Sequence, residues 1–180
     1  RLDGPSAEVA RNGWAFVVVG WDGSIVAAAY GIPPSWVDDI PGSEAWAVYQ
    51  AAIRAEPGST YRIDCLPCVL AAKRGWRWAS RDSNIHARVH AAMARALDDT
   101  PEDALVWMPA HTKWHEVGKR LLGNGEFMTV EDRNTNAMAD ELAKAAVAEH
   151  RVHKHIRDAV ASRDAEVTSI AMWLGRVTHL

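Results

Sequence analysis

The chain runs to 180 residues with a net charge of −3, from 20 Lys and Arg against 23 Asp and Glu, and 48% of it is hydrophobic. That hydrophobic share argues against disorder, and the length favours one domain plus an appendage. The acidic balance counts against tight nonspecific binding of nucleic acid, though it leaves room for a local basic patch. No apolar run is long enough to span a bilayer. The start at Arg1 carries neither an initiator Met nor an apolar leader, which points to a piece of a larger polypeptide. Two cysteines, Cys65 and Cys68, are too few for a disulfide scaffold and suggest a reducing, intracellular compartment.

Arg1-Leu2-Asp3-Gly4 reads as the end of a strand. Trp14 to Val19 is rich in β-formers and predicts a second strand. Asp22-Gly23 is a hairpin turn signal, and Ile25 to Tyr30 is the returning strand. Gly31 to Gly42, with three prolines, reads as a loop. Ser43 is a good N-cap for a helix from Glu44 to Arg54, stopped by Pro57-Gly58. Tyr61 to Leu66 predicts a strand, and Pro67 suits the first turn of a helix closing at Gly75. A helix follows from about Asn84 to Leu97, then a strand from Leu105 to Met108. Thr112 to Thr135 is a long polar segment, and the last helix of the domain starts near Asn136 and passes Ala146. From His150 onward the character changes to a partly amphipathic helical tail. The order β-β-β-α-β-α-α-β-α implies a mixed sheet flanked by helices, because a crossover between parallel strands needs a helix.

Four carboxylates fall one to an element: Asp3 and Asp64 at strand ends, and Glu44 and Asp140 on helices. Brought together they would repel, and burial would raise their pKa values. Divalent cations remove that conflict, and two cations shared by such acids suit the cutting of phosphodiesters. Each acid also has a plain reading. Asp3 fits an Asp-Gly turn, Glu44 a helix-dipole partner, Asp64 an N-cap, and Asp140 an ion pair with Lys144. The joint pattern decides for the first view, since four separate accidents would have to fall in one order.

This order of elements and acids resembles the ribonuclease H family, type 1, including the domains attached to reverse transcriptases. The motifs are Asp3-Gly4-Pro5-Ser6, Asn12-Gly13-Trp14-Ala15, Ser43-Glu44-Ala45, Ile63-Asp64-Cys65, Trp107 to Thr112 with His111, and Asn136 to Ala143. The resemblance covers about residues 1–150 and leaves 151–180 as a helical extension. It implies an α/β ribonuclease H-like fold with a mixed five-stranded sheet. The implied activity is endonucleolytic hydrolysis of the RNA strand of RNA–DNA hybrids with two Mg²⁺ ions, which Mn²⁺ could replace. By resemblance Asp3, Glu44, Asp64 and Asp140 hold metal, and His111 moves protons or helps release product. Substrate contacts would come from Gly4, Asn12, Gly13, Ser43, Lys73, Arg74, Trp76 and Asn136, in a monomeric domain of a retroelement protein. An inactive binding module of the same fold is the rival reading.

Three further patterns stay open. Cys65-x-x-Cys68 with His111-x-x-x-His115 invites zinc, though the gap between pairs is far from the usual one. A redox role needs a low-pKa thiol at a helix N-terminus, so two buried thiols are the default. Lys73 to Trp78 interleaves basic and aromatic residues. That suits a grip on a DNA strand, or equally a helix C-terminus with Trp76 in the core.

Overall fold

The computed structural model describes residues 9–178, so the calls on Asp3 and Gly4 lie outside the described residues. The chain is mixed α/β, with six α-helices and two two-stranded sheets among the described residues. Strands β1 (Trp14–Val19) and β2 (Ile25–Gly31) pair antiparallel, in a register that shifts between Val18 and Val19. Their turn forms as its residue types predict. Gly23 takes a positive φ of 78°, and the Asp22 carboxylate accepts the Ser24 backbone N–H at 3.0 Å. Strands β3 (Tyr61–Ile63) and β4 (Leu105–Trp107) pair in parallel, and Met108 N–H extends the ladder to Ile63 O at 2.9 Å. A single five-stranded sheet is not formed among the described residues.

Helix α1 (Ile40–Ala52) begins earlier than expected. Its N-cap is Asp39, whose Oδ1 accepts Gly42 N–H at 2.8 Å, and not Ser43. Proline is tolerated in a first helical turn, so Pro41 opens the helix instead of holding the loop open. The strand expected to reach Leu66 stops at Ile63, because Leu66 already starts α2 (Leu66–Lys73). Gly75, at φ 78°, ends that run, and a short helix α3 (Trp76–Ala79) follows, which the sequence reading did not foresee. Next comes α4 (Ala87–Ala96). Helix α5 (Val130–Glu149) starts six residues before Asn136, on a reciprocal cap. Thr129 N–H donates to Asp132 Oδ2 at 2.8 Å, and Asp132 N–H donates to Thr129 Oγ1 at 3.1 Å. A 25-residue helix α6 (Lys154–Thr178) is the last element among the described residues. No helix among the described residues is long and apolar enough to cross a membrane.

The main core joins Ala45 and Val48 of α1, Cys68, Val69 and Ala71 of α2, and Val89, Met93 and Ala94 of α4 to Ile63 and Leu105. Alternation along β4 then sends Val106, and Met108 just beyond it, to a second, smaller core with Leu122 and Met128. Helix α1 touches both β1 and α4, and α5 packs on β1 and β2. A close approach of α5 falls at Gly13, just before β1. A Cβ there would run into the Ala143 carbonyl oxygen of α5 and stand 2.9 Å from its carbon, so only glycine lets the helix lie so near.

Candidate active site

Glu44, Asp64 and Asp140 come from α1, the end of β3 and α5, and their charges act on one another. Glu44 is pushed up to about 8 by burial first, then by the charges of Asp64, Cys65 and Asp140. Asp64 is also raised, by burial above all and by Asp140. A hydrogen bond from Asn136 and the charge of His111 work the other way. Asn136 Nδ2 donates to Asp64 Oδ2 at 3.4 Å, and Trp107 Nε1–H donates to the Asp64 backbone carbonyl at 3.2 Å. His111 Nδ1 stands 3.5 Å from Asp140 Oδ2.

The plain reading of each described acid loses its ground. Glu44 sits beyond the first turn of α1, so it is not placed to complement the helix N-terminus. The N-cap of α2 is Cys65, and Asp64 makes no cap bond. Lys144 makes its ion pair with Glu141 at 2.7 Å and feels Asp140 only as a weaker charge, while the nearest cationic partner of Asp140 is His111 at 3.5 Å. His111 itself is the one non-glycine at positive φ among the described residues, at 50°. Strained backbone of this kind, costing about 1–3 kcal/mol, gathers at functional positions. Its ring is 82% exposed, so it can meet a ligand from solvent.

Carboxylate oxygens are the donors a hard cation such as Mg²⁺ takes, and a cation would offset both the burial and the neighbouring negative charge that raise Glu44. The donor set therefore fits the metal in kind. Among the described residues, no three His, Cys, Asp or Glu side chains stand close enough to form a finished cation cage. The fourth expected acid, Asp3, lies outside those residues.

The other expected contacts divide. Asn136 is in the cluster. Asn12 is buried, and its Oδ1 has no partner among the described residues. Gly13 is committed to the approach of α5. Ser43 is 3% exposed, and its hydroxyl and backbone N–H both donate to Asp39 O, which leaves it inside the helix cap. Lys73 and Arg74 are exposed at the end of α2, with the Arg74 guanidinium 4.6 Å from the Trp78 ring centroid. Trp76 packs on the main core, and the Arg95 guanidinium lies 4.5 Å from its ring centroid. That placement favours the core role for Trp76.

The zinc quartet does not assemble, since His111 faces Asp140 and no such group forms among the described residues. Instead Cys68 donates to Cys65 at 3.1 Å. That bond holds the Cys65 thiol below its usual value and, with burial, pushes Cys68 up. Sequence reasoning missed two contributors. Trp107, the last residue of β4, holds the Asp64 backbone through its indole N–H. His86, the N-cap of α4, stands with its Nε2 3.2 Å from Oδ2 of Asp39, the N-cap of α1. The Asp39-Ile40-Pro41 run carried the signal for that cap. Comparison of the chain with protein-family models, curated proteins and solved structures found no match.

Proposed function

We propose that this chain is a ribonuclease H-like nuclease domain that hydrolyses the RNA strand of RNA–DNA hybrids with divalent cations. The observation that carries the reading is that Glu44, Asp64 and Asp140, from three separate elements, lie within electrostatic reach of one another, with Asn136 hydrogen-bonded to Asp64 and His111 Nδ1 3.5 Å from Asp140 Oδ2. The proposed fold asks for one more strand to unite the two sheets into a mixed sheet of five, and Arg1 to Asp3 is the stretch the sequence offers for it.

Glu44, Asp64 and Asp140, with Asp3, would hold the cations, which when bound supply an acidified water and charge stabilisation at the phosphate. The remaining work falls to the chain. Asn136 orients Asp64 by donating to one carboxylate oxygen. Trp107 fixes the Asp64 backbone from behind. His111 would carry a proton to or from the reacting phosphodiester, and its exposed ring with one nitrogen toward Asp140 supports that role. Preference for the RNA strand would rest on the 2′-hydroxyl and the A-like shape of a hybrid.

The test is cleavage of labelled RNA–DNA hybrid, RNA duplex and DNA duplex in Mg²⁺ or EDTA. Cutting of the hybrid alone, dependent on Mg²⁺ and lost in Asp64→Asn, is expected. Cutting that survives Asp64→Asn removes the metal assignment. A folded protein that binds the hybrid without cutting it would make the inactive binding module the better account.

A further inference from the structure

We propose that Cys65 and Cys68 form a thiol–disulfide exchange site that takes small disulfides of the glutathione class. Both cysteines are free thiols, and their Sγ atoms lie 3.1 Å apart across the first turn of α2. The turn already has the form a closed pair needs, since Cys68 N–H donates to Cys65 O at 3.0 Å. The two sulfurs differ in access: Cys65 is partly exposed at the N-cap, and Cys68 is fully buried behind it. That asymmetry gives an attacking thiol and a resolving thiol.

The exchange balances. The Cys65 thiolate attacks one sulfur of the small disulfide, forming a mixed disulfide and releasing one small thiolate. Cys68 gives up its proton and attacks Cys65 Sγ, forming the protein disulfide and releasing the second small thiolate. The small disulfide is reduced by two electrons and the protein dithiol is oxidised by two. Closure would draw the sulfurs to about 2.05 Å, at the residue that follows Asp64. The redox state of the pair is thereby placed beside the acid cluster. The effect on hydrolysis rests on the nuclease reading, whereas the exchange does not.

The experiment treats the full chain with oxidised glutathione under native conditions and follows it by intact mass and peptide mapping. Wild type should lose two hydrogens, with the link mapped to Cys65 and Cys68 and no glutathione retained. Cys68→Ala should keep one glutathione on Cys65, and Cys65→Ser should take up none until it is unfolded. Retention of glutathione by wild type, or resistance of the native pair to oxidation, would overturn the site. So would zinc that stays through dialysis and is lost in Cys65→Ser. In the hybrid assay the oxidised protein should cut several-fold more slowly and recover with dithiothreitol. Equal rates would remove the coupling to the acids, and an absence of cutting in both forms counts against the nuclease reading alone.

Discussion

Replacing Glu44 by Gln should stabilise the cation-free protein at alkaline pH and leave it nearly unchanged in acid. The native Glu44 carboxyl sits at about 8 against a usual 4.5. Below pH 4.5 the group is protonated in both folded and unfolded chains and contributes no difference. Between the two values the folded chain keeps a proton that the unfolded chain has lost. Stability therefore falls as pH rises, and the loss is complete above about 8. Three to four powers of ten in proton affinity correspond to about 4–5 kcal/mol. Glu44 keeps partial contact with solvent, which makes that figure a ceiling. Glutamine copies the shape of the protonated acid and carries no charge at any pH, so the variant escapes the loss. Urea unfolding in EDTA, followed by tryptophan fluorescence at pH 5 and pH 9, measures the difference between variant and wild type. An advantage for Glu44→Gln of several kcal/mol at pH 9, shrinking to under about 1 kcal/mol at pH 5, is expected. A difference independent of pH would refute the argument that buried negative charge is concentrated at this position. Mg²⁺ should close the gap at pH 9 by stabilising wild type alone, since binding only to the folded state adds to its stability.

Thr129→Ala should cost about 1 kcal/mol in urea unfolding by removing one half of the α5 cap. Asp132→Ala should cost more, about 2–3 kcal/mol, because the same carboxylate also lies 3.4 Å from Arg62 Nε and is buried. Equal costs would show that the link from α5 to β3 contributes nothing. His111→Ala should slow hybrid cleavage about 10²-fold while leaving the Mg²⁺ concentration for half-maximal rate unchanged. Gly13→Ala should lower stability by about 3 kcal/mol, read as a fall in the urea midpoint, since the new Cβ meets helix backbone and not a movable side chain.

Elements with one clear local signal were legible in the sequence. The β1–β2 hairpin follows from β-formers on either side of Asp22-Gly23, and β4 from a short apolar run before Pro109. Helix starts were harder. Pro41 looks like a breaker and acts as a first-turn residue, and the Thr129 cap lies in a polar stretch that lacks the periodicity of a buried helix. The length of β3 could not be read, because Leu66 suits a strand and a helix equally and the parallel pairing to β4 is set by distant residues. At the site, residue types were informative and roles were not. Glu44, Asp64, Asp140, Asn136 and His111 were singled out from motif order, and in the fold they interact with one another. Ser43 and Gly13 follow the same motifs and are used for capping and close packing. Whether a polar residue faces a ligand or a helix end depends on one or two residues of offset, which a motif does not record.

That offset gives α5 a double duty. Asp132, Asn136, Asp140, Ala143 and Val147 recur every three or four residues and so share one face of the helix. The first ties the helix to Arg62 on β3, and the last two lie against Gly13. The two between them reach Asp64 and His111. Asn136 and Asp140 thus hang between two points that fix the helix in place, and a shift at either point moves them. Gly13→Ala should accordingly raise the Mg²⁺ requirement for hydrolysis as well as weaken the fold. Met93→Ala provides the comparison: it empties the main core at a fully buried position on α4, for a similar cost of about 3 kcal/mol. At a temperature where both variants are fully folded, Met93→Ala should keep the wild-type Mg²⁺ dependence and Gly13→Ala should not. If the two behave alike, the loss in Gly13→Ala is one of stability only, and the close approach of α5 does not set the position of Asp140.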